Sequence, residues 1–302
     1  MTALLDQFRQ VLDILLPVFA VAGVGFAWAK SGHPFPTREL TAFVTLIGTP
    51  CLIFSSLIVR DVAFLNLLVY MGACAGATAL VALVAYLILP LFGGDRRTLT
   101  TAFAFPNVGN IGLPVCILAF GAAGEAYALV HLSVSAMLMH TLGRWAHRGE
   151  TNPLMIFHSP VLWTVVLTLA LIWWRERSGQ VLAPTWVLNT TKLIGGMVIP
   201  AVLVSLGVAI SQLQLARLGD NLVLSLTRFF LGLAIAFLII NLMGFEGVAA
   251  KVFILQTIMP IAILNYMFAA MYDNQVKEIA ALVMTSNLLG LITLPLVLWF
   301  MV

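Results

Sequence analysis

Charge is what this 302-residue sequence has least of. Asp, Glu, Lys and Arg together make up 9% of it, where an ordinary soluble domain carries about 25%. So sparse a set cannot cover the surface of a water-soluble protein of this size, and that class is excluded. The formal net charge is +3, but the basic residues are scattered and leave no footprint for nucleic acid. Cysteine is scarce as well. Cys51, Cys74 and Cys116 all lie in apolar stretches and read as small buried hydrophobes, not as a disulfide or metal set. Paired intramembrane aspartates and zinc motifs are missing: His131, His140 and His158 lack ligand spacing and companion carboxylates,. No enzyme chemistry, metal or other cofactor is expected. The first apolar stretch also lacks a basic leader, so it is expected to stay as a span and not to be cleaved as a signal peptide.

What the sequence has is apolar length. Hydrophobic residues make up 62%, and the mean hydropathy is +1.07. A transmembrane helix needs about 20 mostly apolar residues. Ten stretches qualify, at roughly 11–29, 39–59, 65–90, 98–119, 125–143, 154–174, 186–209, 221–243, 249–271 and 279–301. The fold class predicted is all-α integral membrane. With both termini outside, the cytoplasmic loops hold eight Lys and Arg against five outside, which favours that orientation in a plasma (inner) membrane.

Prolines interrupt these spans in pairs. Pro50 in the second span and Pro200 in the seventh are 150 residues apart, and Pro114 in the fourth and Pro260 in the ninth are 146 apart. One internal repeat of about 150 residues follows. The halves are 1–150 and 151–302, each with five spans, an odd number, so they are expected to insert upside down relative to each other. Inverted repeats with interrupted helices at matching places mark a transporter's binding site. Pro50 and Pro200 are expected as helix breaks, since proline removes a backbone donor.

The sharpest local feature is the run Phe105-Pro106-Asn107-Val108-Gly109-Asn110-Ile111-Gly112-Leu113-Pro114. Glycine costs about 1 kcal/mol and proline about 3 kcal/mol in a helix interior. The run therefore predicts unwound backbone near Pro114 and a half-helix N-terminus whose positive end suits an anion. Asn107 and Asn110 add donors and acceptors without a buried charge, with interhelical hydrogen bonding as the alternative role. The ninth span supplies Gln256, Pro260, Asn265 and Tyr266. It is expected to cross the fourth at their breaks.

These segments resemble the auxin efflux carrier family, in its bacterial form. The resemblance rests on Pro106-Asn107 followed by Gly112-Leu113-Pro114, on Gln256 and Pro260 followed by Phe268-Ala269 and Tyr272, and on Leu294-Pro295 and Asn152-Pro153. It covers essentially the whole chain. It implies a fold of the bile-acid-symporter and sodium/proton-antiporter type, with spans 4 and 9 crossing at their prolines. Spans 1, 2, 6 and 7 would form a scaffold and spans 3–5 and 8–10 a transport domain moving like an elevator, with a homodimer through the scaffold around spans 2 and 7. It also implies that Asn107 contacts a substrate carboxylate. The long central loop of the plant carriers is absent, which favours a small mono- or dicarboxylate over auxin itself.

The function expected is secondary transport of a small organic anion across the lipid bilayer. The expected substrate-binding set is Asn107, Asn110, Gly112, Pro114, Gln256, Pro260 and Asn265. A sodium-coupled symporter is the alternative within transport, and a channel or ligand sensor is the alternative from another class. The coupling ion would be H+ or Na+. Ionisable residues within spans are functional candidates by default. Lys192 is a coupling candidate, with snorkelling to the interface as its alternative. His131 is a proton carrier or a structural histidine. Asn287 and Tyr266 are candidates to line the cavity or to pack. Glu125 and Arg228 are expected near the interfaces.

Overall fold

Apolar runs in lipid must satisfy their own backbone polar groups, which a helix does, and helix is what these runs form. The structure, a computed structural model, describes residues 2–60, 62–92, 96–148, 153–180, 182–213 and 216–302. Asp61, Asp95, Asn152 and the side chains of His140 and of residues 143–150 lie outside the described residues. Thirteen α-helices occur among the described residues: α1 Thr2–Lys30, α2 Thr37–Phe43, α3 Thr49–Leu57, α4 Phe64–Ile88, α5 Arg96–Ala104, α6 Leu113–Arg148, α7 Pro160–Ser178, α8 Thr185–Gly196, α9 Val198–Gln212, α10 Leu218–Met243, α11 Gly247–Ile258, α12 Ile263–Met271 and α13 Val276–Trp299. Among the described residues, seven helical stretches are long and apolar enough to cross a membrane: Leu4–Lys30, Thr37–Leu57, Phe64–Phe92, Val108–Met139, Thr185–Gln212, Leu218–Met243 and Val276–Trp299. The chain is a multi-pass, all-helical membrane protein.

The paired prolines sit at helix boundaries, and the unwound chain of the fourth span lies at a different proline from the one expected. Pro50 lies in the first turn of α3, just after a π-helical turn at Val44–Gly48. Pro200 lies in the first turn of α9, just after α8 ends. A first-turn proline is tolerated because its missing N–H had no intrahelical partner. Both positions are therefore joints between consecutive helices and not unwound breaks. Pro114 likewise sits in the first turn of α6, and the chain unwinds instead at Phe105 to Asn107, around Pro106. Pro260 does lie in unwound chain, between the end of α11 and the start of α12. Within α6 the helix is interrupted at Gly121, which holds φ 58° and ψ −142°, a conformation open to glycine and costly for other residues.

Packing brings small residues against backbone. A Cβ at Gly207 of α9 would stand 1.8 Å from the Ala22 carbonyl oxygen of α1, and one at Gly25 would stand 2.0 Å from that of Val204. These glycines let α1 and α9 touch main chain to main chain, as membrane helices do where small residues meet. Gly195 of α8 approaches Leu52 of α3 in the same way. Elsewhere α6 packs on α4 and α11, and α10 packs on α11 and α13. Polar groups collect at the far end of α3. Glu125 receives Arg60 at 3.0 Å and the Ser56 hydroxyl at 2.5 Å. The Arg175 guanidinium donates to the carbonyls of Ile58 and Arg60, neutralising the negative end of that helix.

Candidate functional site

The two unwound segments meet, and their backbones pair. Pro106 and Ile261 form an antiparallel bridge. The Asn107 N–H donates to the Pro260 carbonyl at 2.6 Å, and the Ala262 N–H donates to the Phe105 carbonyl at 3.2 Å. Each break thus supplies the partners that the other lost, which answers the demand that no buried backbone group be left over.

Side chains complete the crossing. Asn107 is 3% exposed and caps the helical chain that follows it: its Oδ1 accepts the Asn110 N–H at 3.3 Å, while its Nδ2 donates to Asn287 Oδ1 at 3.4 Å. Asn287 of α13 turns its own amide N–H groups to the carbonyls of Ile261 and Val283. Ser286 Oγ accepts the Ile261 N–H. Asn265 donates to the carbonyls of Phe105 and Ala262, both at 3.1 Å. Two helical segments begin here, one at Val108 after the Asn107 cap and one at Ile263. The positive ends of both segments lie at this crossing,, with the Val108 and Asn110 N–H groups already bonded to the Pro106 carbonyl and to Asn107 Oδ1.

A cavity of about 410 Å³ opens beside that place. Its wall on the crossing side holds Phe105 to Asn110 and Ala262 to Leu264. Its lining also holds a row of hydroxyls: Thr37, Thr41, Thr45 and Thr49, with Ser205 of α9. Val198, Val202, Met267 and Met271 add apolar surface. Among the described residues no ionisable acid or base other than the Tyr272 phenol lines it. An occupant would be held by neutral donors, two helix starts and apolar contact.

The expected site residues divide accordingly. Asn107 and half-buried Asn110 line the cavity. Gly112, Pro114, Gln256, Pro260 and Asn265 stand behind this wall, and four of them shape the crossing from there. Gly112 touches the Gln256 amide: a Cβ on it would lie 2.2 Å from Gln256 Oε1, so that side chain would have to shift. Pro260 lies against Gly290 of α13. Among the described residues both amide atoms of Gln256 lack a hydrogen-bond partner, as does Asn265 Oδ1. Asn287 and His131 are buried away from the cavity, Tyr266 is half-buried outside it, and Lys192 is exposed on α8. Sequence reasoning missed the threonine row, although its signal was present as four threonines at intervals of four residues. It also put Arg228 near an interface. Arg228 is in fact 2% exposed, because it projects from the middle of α10 into the helix bundle.

Two broken helices joined through their backbones, inside a bundle of apolar helices and beside a cavity, define a polytopic membrane protein of the transporter class. A family model described as membrane transport protein matches residues 10–154 and 150–298, and the chain belongs to this family, that of the auxin efflux carriers. It is also 23% identical over 309 residues to an uncharacterized transporter of Methanocaldococcus jannaschii, covering 96% of this chain and 98% of that one.

Proposed function

We propose that the chain is a secondary carrier of a small organic anion, bound in the cavity between the helix crossing and the threonine row. The observation that carries this function is that two helix starts and Asn107 line a cavity whose remaining lining, among the described residues, is hydroxyls and apolar groups. Helix starts attract negative charge without a buried cation in contact. A carboxylate would sit at Asn107 and Asn110, with the body of the ligand against Val202, Met267 and Met271.

The contacts also support a division of labour. α1 packs on α9, and α3 packs on α7 and α8, while α4, α5 and α6 associate with α10 to α13 around the crossing. The cavity lies where the two groups face one another. In this proposal the group containing the crossing moves as a body against the other, carrying the anion past the threonine row. Uptake of a panel of radiolabelled mono- and dicarboxylates into proteoliposomes tests the function. Saturable uptake of at least one member is expected. Uptake of none, by a protein that is folded and inserted, would overturn it.

A further inference from the structure

Arg228 is the largest fully buried side chain among the described residues. Its Nε and Nη1 have no hydrogen-bond partner, and it takes part in no ion pair among the described residues. Among the described residues no carboxylate is buried with it. Glu125 is committed to Arg60 and Ser56, and the other described acids are exposed. A charged side chain deep in a membrane protein is costly and is retained for function.

Its position is specific. A Cβ on Gly232, one turn further along α10, would stand 2.7 Å from Arg228 Nη1 and 2.9 Å from the Thr257 carbonyl oxygen. The absent side chain thus leaves the guanidinium a place next to the last turn of α11, which ends at Ile258 just before the break. The last four carbonyls of a helix have no intrahelical partner, and that end carries the negative pole of the helix dipole. In secondary carriers, half-helix C-termini and unwound carbonyls are the groups that coordinate a coupling Na+. Here a fixed cation from the neighbouring helix stands at that end instead.

We propose that Arg228, held beside the C-terminal turn of α11 by the gap at Gly232, is a built-in counter-cation: it balances the charge of the carried anion and replaces a co-transported Na+. The inference rests on the carrier function proposed above. One fixed positive charge matches one carboxylate, so the carrier loaded with a monocarboxylate is neutral at the crossing, and a dicarboxylate leaves one negative charge unbalanced.

Cation replacement in proteoliposomes tests it, together with the melting temperature of the purified protein in detergent. For the wild type, exchanging Na+ for choline is expected to leave both uptake and melting temperature unchanged. A tenfold loss of uptake in choline, or a melting temperature raised specifically by Na+, would overturn the proposal. Arg228→Ala is expected to lose uptake at least tenfold and to recover part of it with millimolar guanidinium or Na+. Wild-type uptake by that variant without added cation would overturn the proposal too. If Arg228→Ala does not fold, Arg228→Lys keeps the charge and is expected to remain independent of Na+, and a Na+ requirement in it would count against the role. If no carboxylate is carried at all, the carrier function fails, and the effect of Na+ on the melting temperature of the wild type still decides the role of Arg228.

Discussion

Asn107 uses its side chain in two directions, toward the start of the next helical turn and toward Asn287. Removing a capping side chain costs about 0.5–2 kcal/mol, which a folded membrane bundle survives. Asn107→Ala is therefore expected to insert and fold, while proteoliposome uptake falls at least tenfold. Gly112 gives a sharper test of packing. A methyl group there would collide with Gln256 Oε1 at 2.2 Å, and overpacking of this sort costs about 1–3 kcal/mol. Gly112→Ala should lower the melting temperature in detergent, and adding Gln256→Ser should restore much of the loss. Purely additive effects of the two substitutions would show that the contact does not couple them.

The threonine row is a property of an element. Thr37 and Thr41 belong to α2, Thr45 to the π-helical turn and Thr49 to α3. That turn changes the helical register between the two α-helices, and such π turns are frequent at functional sites. Thr45→Val keeps the shape and removes the hydroxyl. A neutral hydrogen bond is worth about 1 kcal/mol net, so KM is expected to rise several-fold in transport assays with the melting temperature unchanged. Between α1 and α9 the effect should be the opposite. Gly207→Val drives side-chain atoms into the Ala22 carbonyl and is expected to cut the yield of folded protein, as read by size-exclusion chromatography.

Much of this was legible at the level of elements, and less between them. Apolar length marked the chain as helical and membrane-spanning, although seven stretches long and apolar enough to span occur among the described residues where ten were expected; the crowding of Pro, Gly and Asn from Phe105 to Pro114 located one break because no regular helix tolerates that composition. The break fell at Pro106 and not at Pro114 because the later proline fits the first turn of the resuming helix. Pro50 and Pro200 followed the same rule. What the sequence could not convey was which helix face meets which neighbour. Gln256 turns toward Gly112 and not toward the cavity, Arg228 turns inward, and the threonines turn toward the crossing. Helical spacing says which residues share a face and is silent about what that face sees.

At the scale of the whole molecule, a carrier must open its cavity to one side of the membrane at a time. Thr41→Cys, in a chain whose three native cysteines are replaced by serine, places a thiol on the cavity wall. It is expected to react with a membrane-impermeant maleimide from both sides of the bilayer in a population that interconverts. Saturating substrate should slow that labelling, and labelling from one side only under every condition would contradict alternating access. The paired backbones of the crossing also bear on how the protein is made. Phe105 and Asn107 emerge from the ribosome long before Pro260 and Ala262, whose main-chain groups they need. At synthesis rates of roughly 5–20 residues per second, the wait is about 8–30 seconds. For that interval the nascent first half holds an open seam that lipid cannot satisfy, so the insertion machinery or trapped water must shelter it until the second half arrives to close it.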